Sequence, residues 1–167
     1  MQLVLVSSCL LGEAVRYNGG DKRCNDSILQ RWFKEGRLVS VCPEVAGGLG
    51  IPRLPAEISN GAGGLNVLTG VAKVVDSNAN DVTTEFIKGA EYALELARLK
   101  NIKIAILKEG SPSCGTSFIY DGTFTSTKVF TLGVTATILQ QSGIYVFNET
   151  QLTEAEILLK QLEAEIK

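Results

Sequence analysis

Short aliphatic runs that alternate with helical patterns constrain the fold of this chain most strongly. Strands buried on both faces are near-continuous aliphatic runs, and four segments have this character: residues 2–8 (QLVLVSS), 37–42 (RLVSVC), 102–107 (IKIAIL) and 144–147 (IYVF). Helical patterns separate or follow them at residues 26–35, from Asp81 to about Lys100, at residues 132–141 and at about residues 153–167. The alternation predicts a single α/β domain over residues 1–167, with three layers and a mostly parallel, Rossmann-like sheet.

The less regular segments carry their own predictions. Residues 42–57, CPEVAGGLGIPRLPAE, are rich in Gly and Pro and are predicted to be an ordered loop. Residues 65–75 alternate in polarity and predict a hairpin that turns at Thr69 and Gly70. A second hairpin is predicted over residues 118–130, around the Tyr-Asp-Gly turn.

Helix ends can be predicted from capping residues. Asp81 is a good N-cap for the long central helix, which Asn101 can close, and Thr131 can cap the helix over residues 132–141. Thr153 and Glu156 form a capping-box pattern for the C-terminal helix. Its spacing predicts an inward face made of Ile157, Leu158, Leu162 and Ile166.

Charge and composition exclude some classes of partner. The 167 residues carry a formal net charge of −2, and Lys and Arg are scattered, so nothing favours a nucleic-acid backbone as partner. The apolar N-terminal run lacks a basic region and a cleavage site and is too short for a membrane span. We therefore expect a cytoplasmic protein that acts on a small molecule without membrane or nucleic acid, and the oligomeric state stays open.

The chain contains no histidine, which narrows the possible chemistry. Ser-His-Asp and Cys-His catalysis are excluded, as are histidine-ligated zinc and copper sites. Acid–base catalysis must use carboxylates, hydroxyls, Lys or Tyr, and a soft metal must be bound by thiolate.

Three of the four cysteines follow predicted strands. Cys9, Cys42 and Cys114 each come at the end of an aliphatic run, whereas Cys24 does not. Ligands of open parallel sheets bind at the carboxyl ends of strands, so the three loops are expected to meet there. Three thiolates without histidine can hold zinc or an iron–sulfur cluster, whereas the alternative is a set of ordinary buried cysteines.

Two polar residues accompany these cysteines. Glu44 is two residues past Cys42 and can act as the base that activates water, or can be a solvated charge. Ser111 is three residues before Cys114 and can relay a proton, or can cap its loop. Four residues on the two long loops can either bind substrate or hold the loops together: Arg16, Tyr17, Arg53 and Glu57.

The sequence blocks around these residues resemble a known family. SSCLLGEAVRYNGG, VCPEVAGGLGIPRLPAE, GAEYALELA and ILKEGSPSCGTSFIYDGTF are similar to the bacterial thiouracil desulfidase family, over about residues 1–148. The resemblance implies a [4Fe-4S] cluster held by only three cysteines, here Cys9, Cys42 and Cys114. It also implies that the fourth iron binds the sulfur of a thiolated pyrimidine, which leaves as sulfide without net redox change. By motif position, Glu44 corresponds to the residue that activates water and Ser111 to its partner.

Three functional hypotheses follow. The first is a desulfidase, a hydrolase or lyase in class, that cleaves the C–S bond of a 2-thiouracil-like substrate through a [4Fe-4S] cluster. The second is a non-catalytic module in which the same cysteines bind a metal or sulfur for stability or sensing. The third is an α/β domain that binds a small molecule and has unliganded thiols.

Overall fold

The computed structural model describes residues 1–166. Its strands are β1 (Val4–Ser7), β2 (Leu38–Val41), β3 (Ala56–Ile58), β4 (Val74–Asp76), β5 (Ile104–Leu107), β6 (Ile119–Tyr120), β7 (Lys128–Val129) and β8 (Tyr145–Asn148). Its helices are α1 (Ser27–Lys34), α2 (Pro43–Ala46), α3 (Gly64–Leu68), α4 (Thr83–Leu99), α5 (Val134–Gln141) and α6 (Leu152–Glu165). Among residues 1–166, no helix combines the length and the apolar character needed to cross a bilayer.

Four strands form one parallel sheet in the order β2-β1-β5-β8. Val4 of β1 aligns with Leu38 of β2 on one side and with Ile104 of β5 on the other. All four strands correspond to the aliphatic runs of the sequence. The predicted α/β class with a mostly parallel sheet is therefore confirmed.

The sheet separates two hydrophobic layers because successive side chains of a strand point to opposite faces. Val4 and Val6 of β1 pack in a cluster with residues of α1 and α6, whereas Leu5 packs with residues of α4 and α5. On β5, Ile104 and Ile106 join the first cluster, and Ala105 and Leu107 join the second. Helices thus cover both faces, which gives the expected three layers.

The order of the strands creates a switch point between β1 and β5. From β1 the chain moves to β2 on one side, and it later returns to place β5 on the other side of β1. A crevice at such a reversal, beyond the carboxyl ends of the strands, is the usual ligand site of open α/β sheets. Cys9 lies just after β1, in a 3-10 helix that spans Ser8–Leu11, and Cys114 lies beyond β5.

A smaller lobe beside the sheet corrects one prediction. Residues 65–75 are not a hairpin: Gly64–Leu68 form α3, and β4 pairs antiparallel with β3 instead. The amide N–H of Gly63 donates to Oδ1 of Asn66 (3.1 Å), which supports the first turn of this helix. The second predicted hairpin is confirmed, since β6 and β7 pair antiparallel.

The loop predicted over residues 42–57 contains two regular elements, α2 and β3. Pro43 occupies the first turn of α2, where a missing N–H costs no hydrogen bond, so the Pro-rich composition did not exclude a helix there. Glycines allow α2 to cross α4 closely. A methyl group at Gly89 would overlap the carbonyl oxygen of Pro43, and one at Gly47 would overlap that of Glu85.

Two of the predicted helix starts are wrong. Gly133, not Thr131, precedes α5, and α6 begins at Leu152 without a side-chain cap, so the capping box of Thr153 and Glu156 does not form. The inward face of α6 also differs. Its buried residues are Leu152, Ala155 and Leu159, with Leu158 and Leu162 packed beside them, whereas Ile157 and Ile166 are exposed. Lys167, at the end of the predicted C-terminal helix, lies outside the described residues.

The predicted N-cap residue of α4, Asp81, lies one residue before the N-cap position of the structure. Asp81 Oδ1 accepts a hydrogen bond from the N–H of Thr83 (2.9 Å), although Val82 occupies the N-cap position. At the other end, Asn101 has a left-handed backbone (φ 52°) and its N–H donates to the carbonyl of Arg98 (3.1 Å), as expected for the residue that closes this helix.

Candidate functional site

Cys9, Cys42 and Cys114 line one cavity of about 690 Å³ at the carboxyl edge of the sheet. Cys9 and Cys114 are buried and Cys42 is half-buried, and all three are free thiols. Cys42 is the N-cap residue of α2, directly after β2. The structure thus brings three loops that are distant in sequence to one place, and the cavity volume is in the range of small-molecule sites.

Burial dominates the electrostatics of the three thiols. It raises the pKa of Cys9 to about 11, with a further increase from the neighbouring Cys42 that Arg16 and Lys108 partly offset. Burial also raises the pKa values of Cys42 and Cys114. Without a bound cation the thiols are therefore protonated near neutral pH, and a metal that binds them must displace the protons.

Cys24 does not line this cavity. It lies in a neighbouring, more open cleft with Lys22 and Arg23, where its N–H donates to the carbonyl of Leu10 (2.8 Å). Cys24 is therefore not among the residues that line the cavity of the other three cysteines, and its exclusion from the site stays a prediction.

Glu44 is held between a cation and a hydroxyl at the wall of the cavity. Its Oε2 accepts hydrogen bonds from Nε (3.0 Å) and Nη2 (2.6 Å) of Arg53, and its Oε1 accepts one from Oγ of Ser111 (3.1 Å). The remaining guanidinium nitrogen, Nη1, donates to the carbonyl of Val15 (3.0 Å). Both charged side chains are largely buried, with exposed fractions of 10% for Arg53 and 16% for Glu44. The carboxylate is therefore fixed in place and is not a freely solvated charge.

Ser111 connects Glu44 to the cysteine loop. Its Oγ accepts hydrogen bonds from the backbone N–H groups of Ser113 (3.0 Å) and Cys114 (3.2 Å) while it donates to Glu44. The hydroxyl therefore caps its loop and also donates to the carboxylate, whereas its role as a proton relay stays a prediction. A displacement of Ser111 would move Cys114 relative to Glu44.

Glu109 organises the same loop, although sequence reasoning missed it. Its carboxylate accepts hydrogen bonds from the backbone N–H groups of Thr116 (2.8 Å), Ser117 (3.0 Å) and Phe118 (3.2 Å). It also accepts from the hydroxyls of Thr116 and Ser117 and from the buried amide of Asn148 (2.7 Å). A Glu two residues beyond β5, followed by Gly110, was the available signal, but its carboxylate binds donors that lie 7 to 39 residues further along the chain.

The other loop residues mostly hold the loops together. Arg53 pairs with Glu44, and its backbone N–H donates to the carbonyl of Tyr17 (2.7 Å). Glu57 Oε1 accepts hydrogen bonds from two backbone N–H groups of the loop between β6 and β7. The guanidinium of Arg16 lies 5.5 Å from the ring centre of Tyr17, and both residues line the cavity.

Within residues 1–166, no three Cys, Asp or Glu side chains are close enough together to ligate one metal ion. A four-iron cluster makes a different demand, because each thiolate binds a different iron atom. Three sulfur donors around one cavity, two of them buried and one half-buried, fit this demand, and no histidine nitrogen competes, since the chain has no histidine. The donor set is thus suited to iron–sulfur chemistry.

Comparisons with known proteins agree on one relationship. A family model described as 2-thiouracil desulfurase matches residues 4–151. The uncharacterised protein YbbK of Bacillus subtilis (strain 168) is 43% identical over 152 residues, which are 91% of this chain and 99% of YbbK. The solved structure of a [4Fe-4S]-dependent thiouracil desulfidase, TudS, superposes with a TM-score of 0.88 at 43% identity and covers 96% of this chain and 99% of that chain.

Proposed function

The chain belongs to the 2-thiouracil desulfurase family, and from that premise we propose that it is a single-domain desulfidase that uses a [4Fe-4S] cluster. The reaction we propose converts the C=S group of a thiolated pyrimidine and water into C=O and hydrogen sulfide. Carbon, sulfur and oxygen keep their oxidation states, so the reaction needs no electron donor or acceptor.

One observation carries this proposal: Cys9, Cys42 and Cys114 surround the same cavity as the Glu44–Ser111 pair. In the proposal the three thiolates hold the cluster. When bound there, a cluster with only three protein ligands would provide a Lewis acid with affinity for sulfur. The name of the TudS relative, a [4Fe-4S]-dependent enzyme at 43% identity, supports this assignment.

We assign Glu44 as the general base that accepts a proton from the attacking water. A carboxylate that accepts a proton from water as the oxygen attacks the thione carbon must be ionised and held at the cavity wall. Arg53 holds the side chain at the wall, because two of its N–H groups donate to Oε2. Oε1 has Ser111 as its one partner among residues 1–166 and is therefore the oxygen available to water.

Ser111 is assigned as the proton partner of Glu44. Its hydroxyl proton lies on the 3.1 Å hydrogen bond to Oε1, and its oxygen accepts two backbone N–H groups. These contacts keep the hydroxyl oriented towards the carboxylate. In the proposal Glu44 accepts one proton from water as the oxygen attacks and a second as the C=O group forms. Both protons pass, directly or through Ser111, to the sulfur, which leaves as hydrogen sulfide.

Anaerobic reconstitution followed by incubation with 2-thiouracil tests the function. We expect uracil and sulfide in equal amounts without added reductant. Glu44→Gln should keep its iron but lose most of the activity, because an amide cannot accept the proton, whereas Glu91→Gln, exposed on α4, should behave as wild type.

Two results would contradict the proposal. A fully iron-loaded protein that releases neither uracil nor sulfide would refute the reaction and favour a non-catalytic metal-binding module. Full activity of Glu44→Gln would refute the role of Glu44 alone.

A further inference from the structure

The loop between β6 and β7, residues 121–127, contains two residues other than glycine with a left-handed backbone. Phe124 has φ 58° and Ser126 has φ 60°. A β-carbon disfavours this conformation, and for a bulky residue such as Phe it is uncommon. Such residues persist where surrounding contacts fix them, and they collect at ligand-binding sites.

Glu57 fixes the loop from the side of β3. Its Oε1 accepts hydrogen bonds from the backbone N–H groups of Gly122 (2.9 Å) and Phe124 (3.2 Å). Gly122 packs so closely on β3 that a methyl group there would meet the carbonyl oxygen of Ile58 at 2.5 Å. The backbone on both sides of residue 123 is therefore tied to a neighbouring strand.

A row of hydroxyls fixes the outer side of the same loop. Oγ1 of Thr123 contacts Oδ1 of Asp121 (2.6 Å) and Oγ1 of Thr125 (2.6 Å), which in turn contacts Oγ1 of Thr127 (2.8 Å). The N–H of Asp121 also donates to the carbonyl of Thr127 (3.0 Å) and closes the loop. The odd-numbered side chains thus bond to one another.

The even-numbered side chains face the site. Phe124 and Ser126 line the cavity that contains the three cysteines, whereas the three threonines are not among the residues that line it in the described chain. The left-handed residues therefore have a clear consequence: they turn an aromatic ring and a hydroxyl inwards.

The ring of Phe124 is free to receive a ligand. Two other aromatic residues of the cavity already have partners, since Phe118 and Tyr120 pack edge to face at 6.0 Å and the Lys128 ammonium lies 4.3 Å from the ring centre of Phe118. Within residues 1–166, Phe124 has no aromatic or cationic partner of this kind, and 36% of its surface is exposed.

We propose that Phe124 provides the surface on which the planar ring of the substrate stacks, so that the site selects heteroaromatic thioamides over open-chain ones. The inference rests on the proposed desulfidase function and extends it to substrate selection. A π-face suits an offset-stacked pyrimidine, and a ring held in place by its backbone loses little freedom when it binds.

The left-handed backbone provides a variant that removes the ring without straining the fold. Asn tolerates positive φ, so Phe124→Asn should keep its thermal stability and iron content. We expect the KM for 2-thiouracil to rise on the order of tenfold, within the usual strength of base–aromatic stacking. Phe124→Tyr, which keeps a ring, should stay close to wild type. Phe130→Asn is the matched control, because Phe130 is 85% exposed and is not among the residues of the cavity.

Two further measurements separate this inference from the proposed function. For thioacetamide, an open-chain thioamide, kcat/KM should be the same in wild type and Phe124→Asn. The affinity of the reconstituted proteins for uracil, measured by calorimetry, should fall in Phe124→Asn by a factor similar to the change in KM. Since uracil binding needs no turnover, it tests stacking even if the wild type proves inactive, a result that would refute the desulfidase function.

The stacking inference is overturned if Phe124→Asn binds uracil as tightly as wild type. It is also overturned if Phe124→Tyr is as impaired as Phe124→Asn, or if the wild type binds no uracil at all. An equal loss of activity towards thioacetamide and 2-thiouracil would likewise exclude selection by stacking.

Discussion

Replacing Glu109 by Gln should destabilise the protein strongly at neutral pH and much less in acid. The carboxylate accepts hydrogen bonds from backbone N–H groups, from two hydroxyls and from the amide of Asn148. Burial acts to raise the pKa of Glu109, but the hydrogen bonds from Ser117, Thr116 and Phe118 outweigh it and lower the pKa to about 2. The folded state therefore stabilises the ionised form of the Glu109 side chain relative to the protonated form.

The size of the effect follows from this pKa. A decrease from 4.5 to about 2 corresponds to roughly 3 kcal/mol of folding free energy at 1.36 kcal/mol per unit. Because the side chain is partly open to solvent, which screens its contacts, we expect about 2 kcal/mol. This stability is fully present above about pH 4.5, the value of the unfolded chain, and is lost as the pH falls towards 2.

Urea unfolding of the metal-free wild type and Glu109→Gln measures the difference directly. We expect a gap in unfolding free energy of about 2 kcal/mol near pH 7 that shrinks to less than half of that near pH 3. Glu91→Gln, at an exposed position in the middle of α4, should show no gap at either pH. A gap for Glu109→Gln that is absent, or that does not change with pH, would refute the reasoning.

Two further predictions concern the supports of the site. Gly89→Ala should lower the free energy of unfolding by about 1–3 kcal/mol in the same assay, because its methyl group overlaps the carbonyl of Pro43 and forces α4 away from α2. An unchanged midpoint would contradict this close packing. Arg53→Lys should lower kcat by roughly 10- to 100-fold with unchanged iron content, since Lys cannot place two N–H groups on Glu44. A variant with the kcat of the wild type would show that this contact is dispensable.

The principal strands and the main helices could be predicted because the local pattern of apolar and polar residues indicates which of their side chains are buried. The run IAIL is buried on both faces, as is typical of a parallel strand, and the apolar residues of α1 and α4 lie on one side of each helix. The family resemblance read from the cysteine motifs is likewise confirmed. The location of three cysteines at strand ends needed only the general geometry of parallel sheets.

The remaining features depend on tertiary contacts that leave no local pattern. The segment around Thr69 and Gly70 looks like a hairpin turn, but β4 finds a better partner in β3, which lies in a segment predicted to be a loop. The start of α5 shifted for a similar reason, since Gly133 packs against the backbone of Ser113. Glu109 and the hydrogen-bond donors to its carboxylate lie up to 39 residues apart in sequence, so no local motif predicts these contacts. The catalytic roles of Glu44 and Ser111 and the ligand roles of the cysteines stay predictions.

Iron content after anaerobic reconstitution tests the central claim most directly, namely that three specific thiols share one cluster. Wild type and Cys24→Ser should each take up about four iron atoms per chain and show the same visible absorption. The single variants Cys9→Ser, Cys42→Ser and Cys114→Ser should each lose most of both. Full iron uptake in any of these three variants, or its loss in Cys24→Ser, would contradict the account.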